Sequence, residues 1–244
     1  MMLLATDLDG TFLGGSEEDR HCLYSLIREQ EQIRLVFVTG RGVESVTALL
    51  NEGVIPHPEY IICDVGGTIL HGNTLEPVTA VQMNIAAIWP GGDRVRESMK
   101  DIAGLRYQEV YQQHRCSFFY DASTDVNAVR AVATALSCDV VQSAGKYLDV
   151  LPKGVNKGAT LKQLIQLIDY PADSILVAGD TMNDSTLYDA GYKGVVVGAA
   201  EPELLAYTAG KSHVMQANIA GAGGIIEAMQ HFPEFCRYIA GTGK

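Results

Sequence analysis

Two acidic clusters in this chain each follow a short apolar run. The first, Asp7-Leu8-Asp9-Gly10-Thr11, comes directly after Leu3-Leu4-Ala5-Thr6. On an extended segment residues i and i+2 point the same way, so Asp7 and Asp9 can face one space while Leu8 packs oppositely. Gly10 then permits a sharp exit from the strand. The same residues also suit a solvated turn, since Asp and Gly favour turns. The second cluster, Gly179-Asp180-Thr181-Met182-Asn183-Asp184, ends another apolar run, and Asn183 or Asp184 could equally cap the helix that follows. On one sheet edge the two clusters would gather three or four carboxylates, which would repel and raise one another's pKa unless neutralised. Oxygen-rich sets of that kind are what Mg²⁺ accepts. Together the clusters favour a metal site over two turns. Thr39-Gly40-Arg41 offers a hydroxyl and a close-approaching backbone to an anionic oxygen, or a plain helix cap. Asn156-Lys157-Gly158 opens a helix, where a lysine could pair with phosphate and offset the carboxylates, although most lysines lie on the surface.

Elements must hold these residues in place. Apolar runs at 3–6, 34–38, 60–63, 174–178 and 194–197 alternate with amphipathic stretches at 17–30, 43–51, 159–168, 183–190 and 201–207. That rhythm predicts an α/β protein with a mostly parallel sheet. Ligands of such sheets bind beyond the carboxyl ends of the strands, where Asp7 and Asp9 would sit. A short strand near 213–215 and a helix at 220–231 complete the pattern. The middle differs: helical stretches at 78–89, 94–101 and 126–136 accompany strand-like runs at 115–121, 140–142 and 147–151. The expected architecture is a Rossmann-like parallel-sheet core, residues 1–79 and 153–244, with a smaller α+β cap domain inserted at 80–152. Pro152-Lys153-Gly154 marks the return to the core. Residues 240–244 read as a frayed tail.

Composition narrows the class of partner. The 244 residues are 47% hydrophobic and 19% charged, the profile of an ordinary globular protein able to bury a core. Eighteen Lys+Arg against 29 Asp+Glu give a net charge of −11, which argues against a nucleic-acid or anionic-membrane partner. A few local cations or a metal still allow a small anionic substrate. Five scattered cysteines with no CxxC give no disulfide framework or zinc site, and six histidines lack metal-ligand spacing. The first residues lack a basic n-region and reach Asp7 at once, so no signal peptide is expected there. No apolar run approaches a membrane span, and a cytoplasmic location is the expectation. No GxxxxGK[ST] or GxGxxG follows an expected strand, which removes P-loop and dinucleotide-binding readings.

Taken in order, Asp7-Leu8-Asp9-Gly10-Thr11, Thr39-Gly40-Arg41, Asn156-Lys157-Gly158 and the Gly179–Asp184 cluster resemble the motifs of the haloacid dehalogenase superfamily of phosphohydrolases. The insertion after the third core strand is similar to that of members carrying an α/β lid. Asp64-Val65-Gly66-Gly67-Thr68, Tyr147-Leu148-Asp149-Val150-Leu151-Pro152 and Ala200-Glu201-Pro202-Glu203-Leu204 resemble its sucrose-phosphate phosphatase branch. The resemblance implies Asp7 as nucleophile forming an aspartyl-phosphate, with Asp9 as general acid and then base. It implies Mg²⁺ on the Asp7 carboxylate, the Asp9 carbonyl and Asp180, with Asp184 and Asn183 beside them. Thr39, Lys157 and the amides of Leu8 and Asp9 would hold phosphate oxygens, with Gly40 allowing close contact. For the sugar, the candidates are His114, Arg115, Tyr120, Lys146 and Asp149 from the lid, and Arg41 with the Gly66-Gly67-Thr68 loop from the core. The implied substrate is sucrose 6-phosphate or a similar phosphorylated disaccharide. Alternatives are a glycosyl-glycerate phosphate, a phosphorylated monosaccharide, or a non-catalytic partner of a sugar-phosphate synthase. Association with such a synthase is a possible partnership in any of these cases.

Overall fold

The computed structural model describes residues 1–239, so the tail at 240–244 lies outside the described residues. Along the chain come β1 (Met2–Thr6), α1 (Glu17–Glu29), β2 (Ile33–Val38), α2 (Val43–Asn51), β3 (Tyr60–Cys63) and β4 (Thr68–His71). Next are α3 (Thr79–Ala87), α4 (Gly92–Met99), β5 (Arg106–Tyr107), β6 (Cys116–Phe119), α5 (Val126–Ala135), β7 (Cys138–Ser143) and β8 (Tyr147–Pro152). The last part holds α6 (Lys157–Leu167), β9 (Ile175–Gly179), β10 (Lys193–Gly198), α7 (Pro202–Thr208), β11 (Val214–Ala220), α8 (Ala222–His231) and α9 (Pro233–Ile239).

Seven strands form one sheet in the order β11-β10-β9-β1-β2-β3-β4. Every pairing is parallel except β3 with β4. β1 is central and wholly buried, as its unbroken apolar run requires when helices cover both faces. Alternation sorts its side chains: Met2 and Leu4 join one core cluster, Leu3 and Ala5 the other. The first cluster takes the apolar faces of α1, α2, α8 and α9; the second takes those of α3, α6 and α7. The expected mixed α/β core with a mostly parallel sheet is therefore present.

A second sheet, β5-β6-β8-β7, is antiparallel throughout. Val95 and Met99 of α4 and Val129 and Ala133 of α5 pack on its Phe118, Leu148 and Val150. The apolar packing does not change hands at residue 79, however. Val81 and Ile85 of α3 bury in the second core cluster, and Trp89 is the first side chain of the segment to pack with the small sheet. An amphipathic stripe tells a helix which face to bury but not against which neighbour.

Three other local differences have physical reasons. β4 was not expected; Asp64, Val65 and Gly66 take φ of 54°, 56° and 107°, which reverses the chain and returns it antiparallel on β3. β5 is a two-residue pairing with Phe118 and Phe119, too short to carry a period. Residues 182–190 wind as 3-10 turns rather than an α-helix. There Gly158 comes so close that a Cβ would meet Thr186 O at 2.0 Å. Among the described residues no helix is long and apolar enough to cross a membrane.

Candidate active site

Strand order brings the motifs together. β9, β1 and β2 are neighbours, so Asp180, Asp7 and Thr39 leave the same sheet edge side by side. Asp7 N–H continues the ladder onto Ala178 O at 2.9 Å, and Thr39 N–H onto Ile62 O at 2.8 Å. Lys157 arrives from across the second helix layer at the start of α6, which Asn156 caps through Ala159 N–H at 2.8 Å. Its side chain is fully buried, and Nζ donates to Asp7 Oδ1 at 2.6 Å and to Asp184 Oδ1 at 2.5 Å. Asp184 is fixed in turn, its Oδ2 accepting the N–H groups of Asp180 and Thr181, each at 3.1 Å. Thr11 Oγ1 donates to Asp180 Oδ1 at 2.9 Å. Gly10 has φ of +81°, and a Cβ there would lie 2.1 Å from Asp180 Oδ2, so both the turn and the close approach require glycine.

One oxygen each of Asp7, Asp180 and Asp184 can be chosen so that all lie within 4.8 Å of one another. Burial pushes Asp7 up to about 8; Lys157 opposes this and Asp184 reinforces it. Burial, then the Asp184 charge, pushes Asp180 up to about 6. Burial disfavours charge on Lys157, but Asp184 and Asp7 outweigh it and hold the ammonium above its usual range. Three carboxylates against one ammonium leave two negative charges when all are ionised. Asn183 Oδ1 is buried beside them with no hydrogen-bond partner among the described residues. An all-oxygen donor set with that excess charge and an orphan carbonyl fits a hard divalent cation.

Asp9 stands apart from this trio. Its carboxylate turns outward and takes a two-pronged bond from Arg41, Nη2 to Oδ1 at 2.6 Å and Nε to Oδ2 at 2.8 Å. Arg41 N–H also donates to Thr39 Oγ1 at 3.1 Å, which leaves the Thr39 hydroxyl proton free for another acceptor. Leu8 is buried in the first core cluster, so only its backbone can serve the site.

A cleft of about 680 Å³ opens above Asp7 between the two sheets. Gly40, Arg41 and Asn183 line it from the core, and Gln108, Tyr111, Ser117 and Tyr147 from the small-sheet side. Arg115 and Asp149, both expected at the sugar, do line it, but as members of a buried ionic group. Arg115 Nη1 donates to Gly40 O at 2.8 Å and lies 3.5 Å from Asp149 Oδ1, while Nη2 lies 3.0 Å from Asp64 Oδ1. Ser117 Oγ donates to Asp149 Oδ1 at 2.5 Å. Burial raises the pKa of Asp64 and of Asp149, and Arg115 pulls both back.

Other candidates fall elsewhere. Gly66 faces Asn156 so closely that a Cβ would lie 2.4 Å from its carbonyl carbon, and Thr160 Oγ1 donates to Gly66 O at 2.8 Å. That glycine seats the loop on α6; it does not line the cleft, and neither does Gly67. His114 sits behind the same loop, Nδ1 3.1 Å from Gln82 Nε2, with burial lowering its pKa. Lys146 is exposed over the Tyr147 ring at 4.8 Å, and Tyr120 packs on the small-sheet core. Gln108, Tyr111, Ser117, Ser143 and Tyr147 were missed. Ser117 had a signal, since pairing the runs at 115–121 and 147–151 sets it opposite Asp149.

The sucrose-6F-phosphate phosphohydrolase family matches residues 1–233. This chain belongs to that family. As a member it is a phosphoric monoester hydrolase of the haloacid dehalogenase superfamily, in the sucrose-phosphate phosphatase branch. The mannosylfructose-phosphate phosphatase of Agrobacterium fabrum is 31% identical, over 95% of this chain and 97% of that protein. The glucosylglycerol-phosphate synthase of Pseudomonas anguilliseptica is 47% identical over 95% of this chain, which spans only 31% of the synthase's length. In structure, the sucrose-phosphatase of Synechocystis sp. PCC6803, solved with sucrose and phosphate, is similar with a TM-score of 0.86. It is 26% identical, the match covering 94% of this chain and 97% of that one.

Proposed function

We propose that this phosphatase-family chain hydrolyses the phosphomonoester of a phosphorylated glycoside, with Mg²⁺ as cofactor and Asp7 as nucleophile. The observation that carries this is the Asp7 carboxylate at the cleft floor, tied to buried Lys157 at 2.6 Å within a trio of acidic side chains. Asp7, Asp180, Asp184 and Asn183, with the Asp9 carbonyl, would hold Mg²⁺, which supplies charge neutralisation between an anionic nucleophile and an anionic phosphate. Asp7 attacks phosphorus, and the phosphoryl group passes to its carboxylate as an aspartyl-phosphate. Asp9, protonated and released from Arg41, gives its proton to the departing sugar oxygen. It then takes a proton from the water that cleaves the acyl phosphate, which restores Asp7. The free Thr39 hydroxyl and Lys157 Nζ bind the phosphoryl oxygens through both steps. An intact Asp7/Asp9 pair speaks against a purely binding role.

Two substrate readings are favoured by specific observations. A phosphorylated disaccharide such as sucrose 6-phosphate is supported by the family and by the Synechocystis likeness. A glucosylglycerol phosphate is supported by the 47% match to a protein named for making that compound, and we place it first. The same match supports association with a glycosyl-transferring synthase. Phosphate release from a panel tests the order: glucosylglycerol phosphate, sucrose 6-phosphate, mannosylfructose phosphate, glycosyl-glycerate phosphates and hexose 6-phosphates, each with Mg²⁺ and with EDTA. We expect one glycoside phosphate to exceed the hexose phosphates by at least about tenfold in kcat/KM, with EDTA abolishing turnover. Hexose phosphates as the best substrates would overturn the glycoside reading.

A further inference from the structure

Glu201 has none of the roles above, yet it touches both walls of the cleft. It immediately precedes α7, and its N–H donates to Asp180 O at 2.8 Å. Its carboxylate makes two more bonds. Oε2 accepts Met182 N–H at 2.6 Å, within the turn between Asp180 and Asp184, and Oε1 accepts Ala144 N–H at 3.0 Å, at the tip of the β7–β8 hairpin. The tip is shaped to present that donor. Ala144 and Gly145 have φ of 49° and 60°, the positive pair of a tight two-residue turn, closed by Lys146 N–H on Ser143 O at 3.3 Å. Ser143 and Ala144 face the same cleft as Thr181 and Asn183. Beneath the bridge, Val141 of β7 and Met182 both pack against the second core cluster.

We infer that Glu201 is a positioning residue that couples the seating of the hairpin tip over the substrate to the geometry of the Asp180–Asp184 turn. The chemistry requires a carboxylate. Both partners are N–H donors, and Gln offers one acceptor oxygen and an amide NH2, itself a donor, that would face the other N–H. The kinetic part of this inference rests on the proposed glycoside phosphatase activity; the structural part does not.

Glu201→Gln and Glu201→Ala in the full chain test it, with the glycoside phosphate found best in the panel set against p-nitrophenyl phosphate, which has no sugar for the hairpin to meet. We expect kcat/KM for the glycoside to fall about tenfold more than for the aryl phosphate in Glu201→Ala, with Glu201→Gln between it and the wild type. Equal losses on both substrates, or none on either, would overturn the coupling. Amide hydrogen exchange decides the matter should the wild type cleave no glycoside phosphate. Both 143–147 and 181–184 should exchange faster in the variants; acceleration of only one segment contradicts a bridge. Glu201→Gln keeps the side-chain volume and stands in if the alanine variant fails to fold.

Discussion

At the scale of single residues, Asp7 is held between burial, which disfavours its charge, and Lys157, which favours it. Its carboxyl is pushed to about 8 and that of Asp180 to about 6, both above the ordinary 3.8. Between the unfolded and folded values the native chain binds more protons than the unfolded chain, so metal-free stability falls as pH rises across that window. The contribution is complete below about pH 4 and gone above about pH 8. Thermal melts of metal-free Asp7→Asn against wild type isolate it: the difference in melting temperature should grow in favour of the variant as pH rises. A constant difference would contradict the assigned shift. Mg²⁺ should raise the wild-type melting temperature, because a ligand that binds only the native state stabilises it, and should raise that of Asp7→Asn less. Equal shifts would remove Asp7 from the metal site. Lys157→Met strips the buried trio of the ammonium that pairs with Asp7 and Asp184 and should cost about 3–5 kcal/mol in chemical denaturation without metal. A loss under about 1 kcal/mol would contradict a buried ion pair at Lys157.

At the scale of elements, the small sheet reaches the core through Arg115, which joins Gly40 O, Asp64 and Asp149. Removing the arginine leaves two buried carboxylates without their cation, so Arg115→Ala should lose about 3–5 kcal/mol in urea unfolding. Adding Asp64→Asn should return part of that loss, since the two residues share one network; simple additivity would contradict the ionic reading. Gly10→Ala should lower stability in urea unfolding, since alanine is strained at φ of +81°, and should also cut turnover, since its Cβ would displace Asp180. These elements were unequally legible. β1, β2 and β9 could be read because unbroken apolar runs end in Asp7, Thr39 and Asp180, and parallel pairing sets those ends on one edge. β4 could not, since Gly66-Gly67 looks like a loop and only the left-handed turn at Asp64 and Val65 turns Thr68–His71 into a strand. The Arg41 grip on Asp9 joins residues 32 positions apart, and neither motif carries a sign of it. His114 and Lys146 have side chains suited to a sugar, but packing puts one behind the Gly67 loop and the other in solvent.

At the scale of the whole molecule, a phosphate ester must approach a chain of net charge −11. The overall field opposes that approach while Lys157, Arg41 and Arg115 act only inside the cleft, so screening should help: kcat/KM should rise as inert salt is added at saturating Mg²⁺. A steady fall with salt would show that the cleft cations dominate even at long range. The cleft itself lies between two separately packed sheets, one supplying carboxylates and the other most of the neutral polar lining. The core motifs are those of a phosphoryl transfer, and no motif of comparable length marks the small-sheet side of the cleft. Asp7 is proposed to take the phosphoryl group. Rapid acid quench during turnover, followed by mass spectrometry of the peptide bearing Asp7, tests it most directly. A transient phosphoryl adduct on Asp7 is expected, and Asp7→Asn should lack both the adduct and all turnover. Sustained turnover with no adduct on that peptide, or a turning-over Asp7→Asn enzyme, would contradict it.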